Sequence, residues 1–153
     1  TPRLKAGFMR FDPAAIDSEN YADASALSKW GPHKEDVALD DLPQLDLIVS
    51  GCVAVTRTGK RCGKGEGYSD LEFGILRELG HAPVPVVTTV HPLQVVDDFP
   101  TDAHDVELSV IATPEEIFEV EGVEAPTRGI DWSQLTDEDL DEMPVLAELK
   151  ARD

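Results

Sequence analysis

Apolar positions gather in short runs separated by polar, Gly- and Pro-containing stretches. Leu45 to Val55 (LDLIVSGCVAV) is nearly continuous, the pattern of a strand buried on both faces. Val84 to Val90 (VPVVTTV) predicts a second buried strand and Val106 to Thr113 (VELSVIAT) a third. Leu4 to Phe11 mixes apolar residues with Lys5 and Arg10 and reads as a strand ended by Asp12-Pro13, and Ile117 to Val123 reads as an edge strand. Helices are predicted over Ile16 to Leu27 and over Ser69 to Leu79, the latter stopped by Gly80. A third runs from Thr136 to Ala151. Thr136 is its N-cap, Asp137 and Glu138 suit its positive end, and Lys150 and Arg152 suit its negative end. Pro144 inside it predicts a break into two pieces. Trp30-Gly31-Pro32-His33 is a loop, and Pro114-Glu115-Glu116 starts a short helical turn. Apolar strands alternating with helices, with neither repeats nor a linker, predict one α/β domain over 1–153 with a mainly parallel sheet.

Composition narrows the function classes. The chain has 153 residues, 41% of them hydrophobic and 29% charged, which suits one globular domain with a real core. No run approaches the roughly 18 apolar residues of a membrane helix. No secretory signal opens the chain. Cys52 and Cys62 make neither a disulfide framework nor a zinc motif. A cytoplasmic location is therefore expected. Acidic residues outnumber basic ones 31 to 13, a net charge of −18, which argues against nucleic-acid binding. The excess suits either a basic partner or a salt-adapted (halophilic) cytoplasm, and the scatter of acids along the chain favours the second. Thr1-Pro2 runs straight into a strand without an initiator methionine, so the chain reads as beginning inside a domain.

One stretch stands apart from the acidic background. Arg57-Thr-Gly-Lys60-Arg61-Cys62-Gly63-Lys64-Gly65-Glu66-Gly67 carries four of the thirteen basic residues within positions 57–64, and that window holds no acid. Its glycines allow tight turns and a close approach of backbone N–H groups to a ligand. A buried strand is predicted before it and a helix after it, the arrangement that holds phosphate in α/β folds. The spacing is neither GxxxxGK[ST] nor GxGxxG. The bland alternative is a solvated glycine-rich turn.

Ser69-Asp70-Leu71-Glu72 matches a capping box, which gives Ser69 and Glu72 a purely structural role. Asp70 suits the helix dipole, and a carboxylate beside a phosphate loop equally suits Mg²⁺. His91 and Gln94 follow the second buried strand, and His104-Asp105 opens the third. Each alone reads as loop polarity. If the two loops converge, Asp70 and Asp105 can share a metal. Trp30 and Tyr68 are core candidates by residue type, yet both stand beside loops, where a flat ring can stack on a heterocycle.

Leu45-Asp46-Leu47-Ile48-Val49 and Gly59-Lys60-Arg61-Cys62-Gly63-Lys64-Gly65-Glu66-Gly67-Tyr68-Ser69-Asp70 resemble the signature of the 5-formyltetrahydrofolate cyclo-ligase (methenyltetrahydrofolate synthetase) family, G-x-R-L-G-x-G-x-G-Y-Y-D. Gln94, Pro100, His104-Asp105 and Thr113 resemble its second block, and Thr1-Pro2-Arg3 and Trp30 resemble earlier positions. The likeness covers 1–114, leaving 115–153 as a C-terminal extension. The variant block GKGEGYSDLE resembles a divergent, cyclo-ligase-related branch.

The resemblance implies a three-layer, Rossmann-like α/β sandwich, here without the family's N-terminal helical segment. It implies an ATP- and Mg²⁺-dependent ligase that turns 5-formyltetrahydrofolate into 5,10-methenyltetrahydrofolate with release of ADP and phosphate. The formyl oxygen takes the γ-phosphoryl group, N10 closes the ring, and phosphate leaves. Carried over by position, Arg61, Cys62, Gly63, Lys64, Gly65, Glu66, Gly67, Tyr68 and Ser69 line the nucleotide, with Arg61 and Lys64 as the catalytic charges. Asp70 and Asp105 bind Mg²⁺, and Trp30 and Tyr68 contact the folate. The implied partners are these small molecules, with no nucleic acid and no membrane.

The chain departs from the pattern at Ser69, where the family has a second aromatic, at Leu71-Glu72 and at Cys62. These departures motivate a second reading, a non-catalytic nucleotide- or folate-binding module on the same fold. A third is a Mg²⁺-dependent phosphate-ester enzyme using the same loop.

Overall fold

The structure, a computed structural model, describes residue 4 and residues 7–102, 105–123 and 129–152. Thr1, Pro2, Arg3 and Lys5 in the N-terminal motif, and His104 in the His-Asp pair, lie outside the described residues. Along the chain, β1 (Phe8–Arg10), α1 (Tyr21–Ala24) and β2 (Glu35–Val37) come first. Next are β3 (Ile48–Val49), β4 (Ala54–Thr56), β5 (Arg61–Cys62) and the main helix α2 (Tyr68–Glu78). Then come β6 (Val86–Thr89), β7 (Val95–Val96), β8 (Val110–Ala112) and β9 (Ile117–Glu119), and finally α3 (Asp137–Glu142) and α4 (Pro144–Lys150). The residues form two compact units, Thr1–Pro43 with Thr136–Asp153, and Gln44–Leu135.

The Gln44–Leu135 unit holds two mixed sheets. In one, the order is β3-β6-β8-β9, with the first two pairings parallel and the last antiparallel. In the other, β4 lies between β5 (antiparallel) and β7 (parallel). The expected α/β character is present, but the strands divide between separate mixed sheets instead of forming one mainly parallel sheet.

The long apolar run does not make one buried strand. It divides at Ser50-Gly51. Ser50 N–H still bonds Val87 O at 2.9 Å, closing the β3 register, and the chain then enters the other sheet as β4. Because β3 is an edge strand, Val49 is 68% exposed, and Val53 beyond the break is 52% exposed.

Val55, Phe73, Val86, Val90, Val106, Leu108 and Ile111 form the core of this unit, with Ile48, Cys52, Val95, Phe118 and Val120 packed against it. Each large apolar side chain so buried contributes about 1.5–3 kcal/mol. Phe73 brings α2 into this cluster. The helix ends as its glycine predicts. Gly80 takes φ +79°, its N–H bonds Arg77 O, and the His81 N–H bonds Leu76 O. The edge strand expected over Ile117 to Val123 is β9, three residues long. The turn expected at Pro114 is a hydroxyl-capped bend, with Thr113 Oγ1 accepting from the N–H groups of Glu115 and Glu116.

In the other unit, β1 and β2 pair antiparallel, Phe8 opposite Val37. The helix expected over Ile16 to Leu27 shrinks to a 3₁₀ turn at Ser18–Asn20 and the four-residue α1. Neither piece buries a residue, so little packing offsets the weak helix preference of Asp17, Ser18 and Asn20. The C-terminal helix breaks where Pro144 predicts, and Pro144 becomes the first residue of α4, where its missing N–H costs nothing. Thr136 caps α3 by a reciprocal exchange with Asp139. Val145, Leu146 and Leu149 are buried on α4. Among the described residues, no helix is long and apolar enough to cross a membrane.

Candidate functional site

The basic block folds as a hairpin that runs into a helix. At the β4–β5 turn, Thr56 Oγ1 accepts the Lys60 N–H at 3.2 Å and pairs with Thr58 Oγ1 at 2.8 Å. Gly59 takes φ +90°, and its carbonyl accepts the Leu108 N–H at 2.8 Å. An added Cβ at Gly59 would meet Leu108 O at 2.8 Å, so this position requires glycine on two counts.

The four basic side chains have different fates. Arg57 pairs with Glu116 and lies over the Phe118 ring, 4.6 Å from its centroid. Lys60 Nζ donates to Asp98 Oδ1 at 2.7 Å and to Phe99 O at 3.2 Å. The Lys60 ammonium, followed by a backbone hydrogen bond at Phe99, holds the Asp98 carboxyl below the usual carboxylate range. Arg61 is buried against Asp70. Lys64 is exposed, and its ammonium has no ion-pair or hydrogen-bond partner among the described residues.

Arg61, Asp70 and the peptide before Val106 close a ring of hydrogen bonds. Arg61 Nη2 donates to Asp70 Oδ1 at 2.5 Å, and Arg61 Nε donates to Val106 O at 3.1 Å. The Val106 N–H donates to the same Asp70 Oδ1 at 3.0 Å. The Arg61 side chain is 5% exposed and that of Asp70 25%. Asp105 shares the peptide bond whose N–H Asp70 accepts, so the structure brings the two carboxylate residues together. Asp105 Oδ2 accepts the Asp102 N–H at 2.9 Å. Each carboxylate thus spends one oxygen, and Asp70 Oδ2 and Asp105 Oδ1 are left without a hydrogen bond among the described residues. No group of three or more His, Cys, Asp or Glu residues is placed to hold a metal among the described residues. Two hard oxygen donors completed by phosphate and water fit Mg²⁺, which keeps most of its shell from outside the protein.

Between Arg61 and α2 the chain turns through Gly65 (φ +85°) and Gly67 (φ +68°). Gly67 is the residue before α2, and no side chain caps the helix. The amides of Tyr68 and Ser69 therefore have no intrahelical acceptor. This corrects the capping-box expectation. The left-handed Gly67 starts the helix at Tyr68, two residues before a Ser69 cap would, so Ser69 is its second residue and cannot be its cap. Cys62, Lys64, Gly65, Glu66 and Gly67 are exposed, while Gly63, Tyr68 and Ser69 are half-buried.

Gln94 and His91 serve the local backbone. Gln94 Nε2 donates to the carbonyls of Cys52 and Val53 at 2.9 and 3.0 Å, and His91 Nδ1 accepts the Leu93 N–H. Trp30 belongs to the other compact unit. There it stacks against Phe11 with ring centroids 5.4 Å apart. A cavity of about 470 Å³ is lined by Phe11, Pro13, Ile16, Tyr21 and Trp30 among others. Nothing in the sequence marked Phe11, Ile16 and Tyr21 as its walls, or Asp98 and Glu116 as partners of the basic block. The two ion pairs join residues 38 and 59 positions apart in the chain, and no local pattern announces them.

The profile of the 5-formyltetrahydrofolate cyclo-ligase family matches residues 1–114, which include the hairpin, the glycine loop, Asp70 and Asp105. The chain belongs to this family. It is 36% identical over its whole length to a methenyltetrahydrofolate synthase domain-containing protein of Mus musculus, and 38% identical over 98% of its length to one of Bos taurus. The 5-formyltetrahydrofolate cyclo-ligase of Escherichia coli is 30% identical over 51% of the chain. The chain spans 43% of the mouse protein and 41% of the bovine and bacterial ones. Similarity to the mouse protein continues through 115–153, beyond the reach of the family profile.

Proposed function

We propose that this family member binds the phosphates of ATP on the 63–69 loop and converts 5-formyltetrahydrofolate to 5,10-methenyltetrahydrofolate, releasing ADP and phosphate. The observation that carries the reading is the loop itself. It joins β5 to the uncapped N-terminus of α2 through two left-handed glycines, with an exposed, unpartnered Lys64 in its middle. Backbone amides and a lysine in that arrangement oppose phosphate charge.

In this reading Lys64 and the amides through Ser69 bind and orient the nucleotide. Asp70 and Asp105 hold Mg²⁺ through the oxygens they do not spend internally. Bound Mg²⁺ supplies charge neutralisation at the phosphates, and the rest of the catalysis is positioning. By family position, Tyr68 is assigned a contact with the reduced folate, and so is Trp30. The same reading carries the family's three-layer Rossmann-like sandwich and a cytoplasmic, salt-adapted setting.

Two observations favour the second reading, a non-catalytic binding module. Asp70 Oδ1 is already committed to both Arg61 and Val106, and relatives named as ligases match only half of the chain. The deciding experiment takes the full-length gene product in molar KCl with Mg²⁺, ATP and 5-formyltetrahydrofolate and follows the absorbance of the methenyl product. Product that requires both ATP and the folate supports the ligase. ATP binding without product supports the module. Phosphate release from ATP without folate supports a phosphate-ester enzyme instead.

A further inference from the structure

We propose that Arg61 is a positioning residue. It holds Asp70 and the Asp105–Val106 peptide in one register, so that two carboxylates serve one divalent cation, and it does not meet the nucleotide phosphates. The inference rests on the nucleotide and Mg²⁺ reading above and assigns that site an internal division of labour.

Three features carry it. Arg61 is the one buried member of the basic block, its side chain 5% exposed. Two of its three guanidinium nitrogens are committed within the fold, Nε to Val106 O and Nη2 to Asp70 Oδ1. The third, Nη1, lies against the glycine loop, 3.7 Å from where a Cβ on Gly63 would sit. The guanidinium therefore joins β5, the first turn of α2 and the strand-entry peptide at Val106, on which both carboxylate residues converge. Its planar fork matches this task, because Nε and Nη2 donate in fixed relative directions to two acceptors that belong to different elements. A lysine supplies the same charge with no such fork. Lys64, exposed and unpartnered, is left as the side chain that meets phosphate.

The two roles separate experimentally. Mn²⁺ affinity, read by paramagnetic relaxation of water, reports the carboxylate pair. ATP affinity in EDTA reports phosphate contact without metal. Arg61→Lys should lower Mn²⁺ affinity roughly 10- to 100-fold, the range for a residue that orients metal ligands. It should leave metal-free ATP affinity within about threefold, since the phosphate-facing charge is elsewhere. Lys64→Ala should do the reverse. Metal-free ATP binding lost in Arg61→Lys with Mn²⁺ affinity intact would overturn the positioning role alone. A wild-type protein that binds neither Mn²⁺ nor ATP would remove the site reading and the positioning role with it. Should Arg61→Lys fail to fold, the wild-type ¹⁵N resonance of Arg61 Nε decides. It should remain protected from exchange and unshifted when metal-free ATP is added, and a shift on ATP binding would overturn the proposal.

Discussion

Replacing Gly59 with alanine should destabilise the Gln44–Leu135 unit by about 2–5 kcal/mol. The figure has two parts. Gly59 sits at φ +90°, and a left-handed backbone costs an L-residue about 1–2 kcal/mol. The new Cβ would also stand 2.8 Å from Leu108 O, 3.1 Å from Val120 Cγ1 and 3.3 Å from Val123 Cγ2. The valine methyls can give a little, but the Leu108 carbonyl belongs to a residue whose own N–H bonds Gly59 O at 2.8 Å. Moving it disturbs that bond, and overpacking of this kind costs about 1–3 kcal/mol. Gly65→Ala isolates the first part. Gly65 has φ +85° with nothing within 4 Å of an added Cβ, so it should lose only about 1–2 kcal/mol. Urea melts followed by Trp132 fluorescence in a Trp30→Phe background report this unit, because Trp132 lies within it and Trp30 does not. If the two alanine variants melt within about 0.5 kcal/mol of each other, the close approach of Gly59 to Leu108 is refuted.

Asp70→Asn keeps an acceptor for the Val106 N–H but leaves the Arg61 charge uncompensated. With Asp70 still 25% exposed, a loss of about 3 kcal/mol, the low end for breaking a buried pair, is expected in the same urea assay. A loss under about 1 kcal/mol would mean that the pair does not close in solution. The Asp139 carboxyl, which accepts first from the Thr136 backbone N–H and then from its hydroxyl, is held below the usual carboxylate range. A depressed folded-state value stabilises the fold above the unfolded carboxylate value, and that stability is lost as pH falls through the folded one. NMR titration should find Asp139 low in the wild type and partly restored in Thr136→Val, which keeps only the backbone donor. An ordinary titration in the wild type would show the cap unformed. Lys60→Met should raise Asp98 in the same spectra, because the ammonium is the largest cause of its depression.

What the sequence disclosed was local in cause. Gly80 stops α2, Thr136 caps α3 and Pro144 opens α4, because each acts through its own backbone and its near neighbours. The strand pairing was less legible. An apolar run records burial summed over both faces and says nothing of which sheet receives it, so the crossing at Ser50-Gly51 and the exposure of Val49 at a sheet edge were hidden. Ser69 illustrates a different failure. The S-x-x-E spacing was genuine, but a left-handed Gly67 moved the helix start and left the motif without a cap to make. The strand–glycine loop–helix order at 61–78 could be read because glycine and charge were concentrated there. The ring joining Arg61, Asp70 and Val106 could not, since its members are 9 and 36 residues apart and meet only through the fold.

That ring changes what the basic block means. In sequence, Arg57, Lys60, Arg61 and Lys64 form an island of four positive charges in a chain of net −18. In the folded unit Glu116, Asp98 and Asp70 each neutralise one of them, and Lys64 alone is unpartnered among the described residues. On the proposed reading, a polyphosphate at the loop would meet, from the described residues of the basic block, one unpaired cation, the helix-terminal amides and the free oxygens of two carboxylates. Those carboxylates repel it unless a divalent cation lies between. On the proposed reading, nucleotide affinity should therefore depend on the metal more steeply than it would with four free cations. The two outer pairs are exposed enough for salt to screen them, whereas the Arg61–Asp70 pair is shielded from it. Raising KCl should consequently weaken the Arg57 and Lys60 pairs first and leave the Arg61–Asp70 end of the loop intact. If Asp70 and Asp105 hold the metal as proposed, their end of the site should therefore keep its geometry in concentrated salt, with Arg61 as the side chain that secures it.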